Sequence, residues 1–409
     1  MGVKEWKDSI YGSYPNYWEI EELENISELV TDGSHLSPKA KDAGKMMCSV
    51  KDMTYNKFNF SQVKYISEMD YIKLVAQGCK PKKKDLLISK DGANCLDLLF
   101  LNNQDEDFVL LSSIAIVRLK KDVCPEFVRY FLLSPATQYI MRTNFISGSA
   151  IPRVVLKDFK RVEVLLPLLP EQKAIAEVLS SLDDKIDLLH RQNKTLEQMA
   201  ETLFRQWFVE EAEDDLEECS LYNSIELIGG GTPKTANSDY WDGNVKWLSG
   251  GDIASNHKSI IINSEKSISQ EGLDNSSAKL LPKYSTVISA RGTVGKYCLL
   301  SEPMAFSQSN YGVKPKFKDC YFFTYLLINY SVEELNSAAY GSVFDTITTS
   351  TFKGLILFLP KENIILKFEK EIEHYFYKIL NNQHQITTLE KIRDTLLPKL
   401  MSGQVRMEI

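Results

Sequence analysis

Residues 148–208 of this chain recur, without a gap, as residues 341–401, an offset of 193 positions. Gly148-Ser149, Phe159-Lys160, Leu166-Pro167, Lys185-Ile186, Thr195-Leu196-Glu197 and Thr202-Leu203 return as Gly341-Ser342, Phe352-Lys353, Leu359-Pro360, Lys378-Ile379, Thr388-Leu389-Glu390 and Thr395-Leu396. A chain duplicated in this way must build one architecture twice. Two matched halves suit a molecule that touches its target or its partners twice better than an enzyme with one active site. With 409 residues there is length for more than one sizeable core, and the repeat selects two.

The best-kept part of the repeat has a helical period. Ile175, Leu179, Leu182, Ile186, Leu189, Asn193, Leu196, Ala200, Leu203 and Trp207 alternate steps of four and three, with charged and amide residues at most positions between. This is the seam of a coiled coil. A helix from about residue 171 to 209 would be roughly 58 Å long at 1.5 Å per residue. The second copy carries the stripe as Phe368, Ile372, Tyr375, Ile379, Asn382, Ile386, Leu389, Arg393, Leu396 and Leu400. In one antiparallel register, with position numbers summing to 575, Asn193 faces Asn382 and apolar residues meet elsewhere; Leu182 against Arg393 is the one poor pair. A buried Asn pair lowers stability but penalises slipped registers, where an amide would meet Leu or Ile without a partner. The alternative is that each helix packs on its own globular block.

Ahead of each helix lies a block of about 150 residues rich in short apolar runs, aromatics and Gly/Asn/Ser turns. Leu86–Ser89, Val109–Leu119, Val162–Leu166, Thr286–Ser289 and Leu355–Leu359 read as strands. Leu29–Ser34 aligns with Leu227–Thr232 and Ile88–Gly92 with Ile288–Gly292, at offsets of 198 and 200. The fold expected is α+β: two mixed, sheet-rich domains at 1–167 and 213–360, separated by long helices at 168–212 and 361–409 that form an antiparallel coiled coil, with an internal pseudo-twofold repeat.

The net charge of −7 is concentrated in residues 166–218, which hold 5 basic and 14 acidic side chains and end in the acidic run 210–218, read as a solvated linker. The sheet-rich blocks are near neutral and free to gather Lys and Arg on one face, as phosphate binding requires. The first residues lack the basic-then-apolar pattern of a secretory signal, and no run of 18 apolar residues is present, so a cytoplasmic protein away from membranes is expected. The seven cysteines are scattered and never spaced as CxxC, which predicts buried reduced thiols and no metal.

Catalytic motifs are missing. Gly292-Thr293-Val294-Gly295-Lys296 falls short of a phosphate loop because Ala290 and Tyr297 stand where Gly and Ser or Thr are needed. Gly229-Gly230-Gly231-Thr232-Pro233 lacks dinucleotide-binding spacing and reads as a turn needing positive φ. There is no HExxH, GxSxG or [DN]PP[YF], and the five histidines form no i, i+4 pair. Cationic and amide-bearing turns are the more informative feature. Lys82, Lys83 and Lys84 precede one strand, Lys90 and Asn94 follow it, Arg153 closes the repeated Gly-Ser turn, Lys234 follows the triple-glycine turn, Arg291 and Lys296 flank the corresponding turn of the second copy, and Gln308 and Asn310 offer amides. Such side chains neutralise phosphates or reach base edges, although a charged run also serves as a solvated face and a turn as a shaper of backbone.

The ordered set Leu166-Pro167-Leu168-Leu169-Pro170-Glu171-Gln172-Lys173-Ala174-Ile175-Ala176, Lys185-Ile186, Thr202-Leu203-Phe204, Gly230-Gly231-Thr232-Pro233 and Leu396 to Gly403 resembles the specificity subunit of type I restriction-modification systems over essentially the whole chain. The resemblance implies two target-recognition domains, each reading one half of a split site on double-stranded DNA. Antiparallel helices hold them apart and dock two modification subunits, and restriction subunits join the same assembly. It also implies that this chain is not itself an enzyme and carries no cofactor, S-adenosylmethionine and ATP belonging to those partners. The second helix departs from the pattern, with Pro360-Lys361-Glu362 where the first has Pro170-Glu171-Gln172. Two rivals stand beside this reading: a self-contained DNA methyltransferase or nuclease, and a coiled-coil scaffold that does not bind DNA.

Overall fold

The computed structural model describes residues 6–148, 151–210, 216–340 and 345–407. Most of the acidic run 210–218 and parts of the repeated turns at 148–153 and 341–345 lie outside the described residues. Two compact units divide the chain: Met1–Lys185 with Leu389–Ile409, and Ile186–Thr388. The second unit is therefore one continuous stretch, whereas the first is closed by the end of the chain.

In the first unit, β1 (Ser27–Asp32), β2 (Leu86–Ser89), β3 (Leu99–Leu101) and β4 (Ile114–Leu119) form an antiparallel sheet in the order β1-β4-β2-β3. In the second, β5 (Ile225–Gly229), β6 (Thr286–Ser289), β7 (Tyr297–Leu300) and β8 (Asn310–Pro315) repeat that order as β5-β8-β6-β7, and Ile260–Ile261 adds a parallel edge strand beyond β7. The globular blocks are thus duplicates as much as the helices are, with insertions between their strands.

Strands β2, β3, β4, β6 and β7 are buried nearly throughout, without alternation, because both sheet faces are covered. Along β4, Ala115, Val117 and Leu119 enter the cluster that holds Phe127, Phe131 and Phe159, while Ile114 and Ile116 enter another built on Phe58, Phe100 and Phe108. The period of two survives as a choice between two cores. In β7, Tyr297 and Leu299 face one cluster and Cys298 and Leu300 the other. The run 109–119 proves to be two strands: Phe108–Leu110 joins a smaller three-stranded sheet, and a turn at Leu111-Ser112-Ser113 delivers the chain to β4. All seven cysteines are unpaired, and six are buried.

Between strands and long helices each copy places a shorter helix, α1 (Pro125–Leu133) in the first and α3 (Tyr321–Tyr340) in the second. The long helices are α2 (Leu169–Arg205), which widens into a π-type turn over Gln206–Glu210, and α4 (Glu362–Met401). They pair antiparallel. Within the second unit Asn382 Nδ2 donates to Asn193 Oδ1 at 2.8 Å, and the rings of Trp207 and Phe368 lie 5.6 Å apart. Ile186, Leu189, Ile379 and Ile386 are buried there, with Leu196 and Leu203 partly so; Leu389, half-buried, belongs to the first unit. Within the first unit Asp183 on α2 meets Arg393 on α4 at 3.1 Å, so the misfit expected between Leu182 and Arg393 is resolved by the neighbouring carboxylate; Leu182 and Leu396 are half-buried beside it. The helix ends also enter the globular cores: Ile175 and Leu179 belong to the cluster of the first unit, and Phe204, Phe208, Phe368 and Ile372 to that of the second. Pairing and packing on the globular block are therefore combined along each helix.

The departure in the second copy has a structural equivalent. Buried Gln172 accepts the amide N–H of Cys124 at the start of α1 (2.9 Å) and donates to Pro167 O (2.8 Å), tying α2 to the short helix of its unit. In the second copy Glu369, one turn deeper in α4, accepts the N–H groups of Phe322 and Phe323 at the start of α3 (3.0 and 2.7 Å). A carboxylate at a helix N-terminus satisfies orphan donors and meets the positive end of the helix dipole. Burial nonetheless pushes the Glu369 carboxyl up to about 7, against the pull of the two N–H bonds.

Because Glu369 holds its proton more tightly folded than unfolded, stability present below about pH 4.5 is lost as pH rises towards about 7. Urea unfolding across that window should show Glu369→Gln removing roughly 1–3 kcal/mol of this fall; an unchanged slope would assign the proton elsewhere. Asp183 accepts from Arg393, Arg129 (3.3 Å) and Tyr130 (2.7 Å), so Asp183→Ala strands the Arg129 guanidinium and leaves Arg393 only its exposed neighbour Asp394. The expected cost is roughly 2–4 kcal/mol by denaturant midpoint.

Candidate nucleic-acid interface

Antiparallel pairing brings the ends of β5, β6 and β8 to one edge of the second unit's sheet, where four turns meet: 230–234, 249–252, 290–296 and 307–309. Gly231 N–H donates to Phe306 O (2.9 Å), Ala290 N–H to Ser309 O (2.9 Å) and Ser307 N–H to Leu248 O (2.9 Å). Side chains knit the same turns. Ser289 and Thr293 share a hydroxyl hydrogen bond of 2.9 Å, Thr293 Oγ1 donates to Gly250 O, and Thr232 Oγ1 donates to Gln308 Oε1. Gly292 and Gly295 sit at φ of 75° and 76°, so the near-phosphate-loop sequence is a turn that glycine permits. Gly230 and Gly231 have no positive φ. They are required by approach instead, since a Cβ would fall 2.1 Å from Ser307 O at Gly230 and 2.2 Å from the Ser277 carbonyl carbon at Gly231.

Out of this framework Lys234, Arg291 and Gln308 project as exposed side chains, with Lys296 half-buried. Arg291 makes no ion pair among the described residues. Lys296 lies near enough to His257 to lower its proton affinity, an effect second to that of burial. Asn310 departs from expectation. It is 1% exposed, and its Nδ2 is turned inward to Ser307 Oγ at 2.7 Å, so it supports the turn rather than facing outward.

The equivalent edge of the first unit gathers Gly33-Ser34, the turn 90–94, Ser112-Ser113 and the segment around Ser147 and Arg153. Lys90 N–H donates to Ser113 O, Gly92 N–H to Pro152 O, and Val154 N–H to Lys90 O, all at 2.9 Å. Lys90 is the second departure: it is 2% exposed, with Nζ 3.3 Å from Asp32 and 3.6 Å from Asp91. A lysine so enclosed is retained by its carboxylates and does not meet solvent. Asn94 and Arg153 are exposed, Arg153 with its Nε 3.4 Å from Asp91. At matched positions the first copy therefore holds Asp91, bridging two cations, where the second presents Arg291.

Lys82, Lys83 and Lys84 are exposed but stand at the other end of β2 from residue 90, the four-residue strand between them spanning about 13 Å at 3.3–3.4 Å per residue. Lys83 pairs with Asp105 (2.5 Å) and Lys84 with Glu126 (3.6 Å). Lys80, at the head of that run, is engaged by Asp107, whose carboxyl its hydrogen bond holds down at about 2. Sequence reasoning grouped both ends of the strand because their numbers are close. It missed Thr232 and Thr293, which couple the turns; their place beside conspicuous glycines was the available signal. Among the described residues no cluster of His, Cys, Asp and Glu could hold a metal ion, and no helix is long and apolar enough to cross a membrane.

Residues 15–198 and 213–394 each match the family described as the type I restriction modification DNA specificity domain. The chain belongs to this family. Both matches take in one sheet-rich block and most of the long helix after it, the unit that the repeat defines. The chain is 26% identical to the type I restriction enzyme MjaIX specificity subunit of Methanocaldococcus jannaschii, over 99% of this chain and 97% of that one. It is 23% identical to the HindI specificity subunit of Haemophilus influenzae, over 87% and 93% respectively. In fold it is similar to the crystal structure of the S subunit of a type I restriction-modification system from M. genitalium, with a TM-score of 0.60, 96% of both chains covered and 15% identity. Family members of this kind are specificity subunits with two target-recognition domains.

Proposed function

We propose that this chain reads a bipartite, asymmetric site on double-stranded DNA as the specificity subunit of a type I restriction-modification complex. The observation that supports the reading is the repetition of one strand order with different side chains at the same turns. Each unit offers its sheet edge to one half-site. The second uses Arg291, Lys234, Lys296 and Gln308, and the first Asn94 and Arg153. Arg is suited to guanine edges or phosphates, and Asn and Gln to adenine. Dissimilar edges imply dissimilar half-sites. The paired helices join the two readings in one chain, as dimerisation joins two half-site readers in symmetric repressors. On this reading the chain performs no chemistry: two modification subunits dock on it and supply S-adenosylmethionine, and restriction subunits supply ATP hydrolysis.

Sequencing of methylated adenines in cells with and without the chain and its partners should reveal one split motif that depends on it. Methylation or cleavage of DNA by the purified chain alone would overturn the reading. Within that site, Arg291→Ala should weaken binding of the cognate duplex by roughly 1–3 kcal/mol, confined to one half-site if Arg291 meets a base, or should reduce the salt slope by about one if it meets a phosphate. Unchanged affinity and slope would remove Arg291 from the interface.

A further inference from the structure

The two copies differ sharply where the central strand begins beside the long helix of its own unit. Lys84 and Tyr284 occupy matched left-handed positions, with φ of 65° and 68°, just ahead of β2 and β6. In the second unit the Tyr284 ring lies 5.1 Å from Phe322 and 5.9 Å from Tyr377 on α4, so an aromatic wall closes the space between strand and helix. In the first unit Glu126 stands in place of Phe322 and Asp184 in place of Tyr377. The same space is an open cleft of about 730 Å³ against the first turns of α2.

Seven basic and four acidic side chains line this cleft. One of the acids, Asp85, is buried and held by Arg118 through two hydrogen bonds of 2.9 and 2.7 Å, which cancels its charge. Lys82, Lys121 and Lys173 are exposed on the rim and make no ion pair among the described residues. The floor is apolar, from Val123 and Ala176. Lysines around an apolar floor complement a ligand that carries both carboxylates and apolar groups. The volume lies within the roughly 300–1,000 Å³ typical of small-ligand pockets, enough for a few inserted side chains and too small for a duplex. The cleft also stands a strand length from the turns proposed to read DNA.

We propose that this cleft docks an acidic segment of a partner protein with Leu or Phe between its carboxylates, and that only the first copy does so. This inference stands apart from the DNA-reading proposal, because its probe contains no nucleic acid. The test is fluorescence anisotropy of the full chain with a fluorescein-labelled peptide of alternating Glu and Leu, at about 50 and about 200 mM salt, beside a labelled duplex. The expected result is saturable, salt-sensitive peptide binding that Lys121→Glu/Lys173→Glu weakens about tenfold or more, with duplex affinity changed less than about twofold. Lys84→Tyr, which installs the residue that the second copy already carries at this φ, should close the cleft and abolish peptide binding while leaving the melting temperature unchanged. Absence of saturable binding, or binding indifferent to both variants, overturns the proposal. So does a tenfold fall in duplex affinity with a shallower salt slope in the double variant, which would make the cleft a phosphate site.

Discussion

The hydrogen bond from Asn382 to Asn193 is the constraint on which the helix pairing depends. Both amides are buried, and Asn382 Oδ1 has no protein partner, so the pair is costly where Leu and Ile would pack for less. Its value lies in the registers it forbids. A slip of one heptad would set each amide against an apolar residue and leave its remaining hydrogen-bonding groups unmatched. Asp183 with Arg393 repeats the device in the first unit in the same antiparallel sense, and there the carboxylate also holds Arg129 and Tyr130 on α1.

Against the fixed helices, the globular copies have been free to diverge, and the divergence is concentrated at strand ends. The strand order is common to both sheets, and so is the division of each strand between two cores. At one sheet edge, however, Asp91 closes an internal bridge where Arg291 is exposed, and at the opposite edge Lys84 opens a cleft where Tyr284 fills one. Interior positions tolerate little change because a core is close-packed. Turn residues answer only to backbone geometry and to whatever they touch.

This difference also explains how much was legible in the sequence. The seam, the antiparallel register and the repeat were readable because a 3.5-residue period and a constant offset survive substitution. Strand positions such as Leu86–Ser89 and Thr286–Ser289 were readable as apolar runs, whereas the break between Leu110 and Ile114 was hidden because strands buried on both faces carry no alternation to interrupt. Lys90 and Asn310 could not be recognised as interior. Each sits at a strand end where a polar residue usually faces water, and burial is made tolerable by Asp32 together with Asp91 in one case and by Ser307 across a turn in the other. Arg393 looked like a defect because the seam was read as a line of facing residues, when the carboxylate that receives it is the neighbour of the residue opposite.

The two capping arrangements show why a motif need not recur for its role to recur. Gln172 and Glu369 stand at different depths in their helices, yet each places a side-chain oxygen on the free N–H groups that open the short helix of its unit. The requirement is geometric: the start of the long helix must be tied to the start of the short one, and any acceptor that reaches those donors will serve. A neutral amide does this at a smaller desolvation cost than a charged group. A carboxylate gains from the helix dipole and loses from burial, so in the second copy the strength of the tie depends on pH while in the first it does not. The loss of Pro-Glu-Gln from the second helix is therefore a change in how the same joint is made. In the first copy Gln172 is buried and fully engaged in that joint, by Cys124 and Pro167.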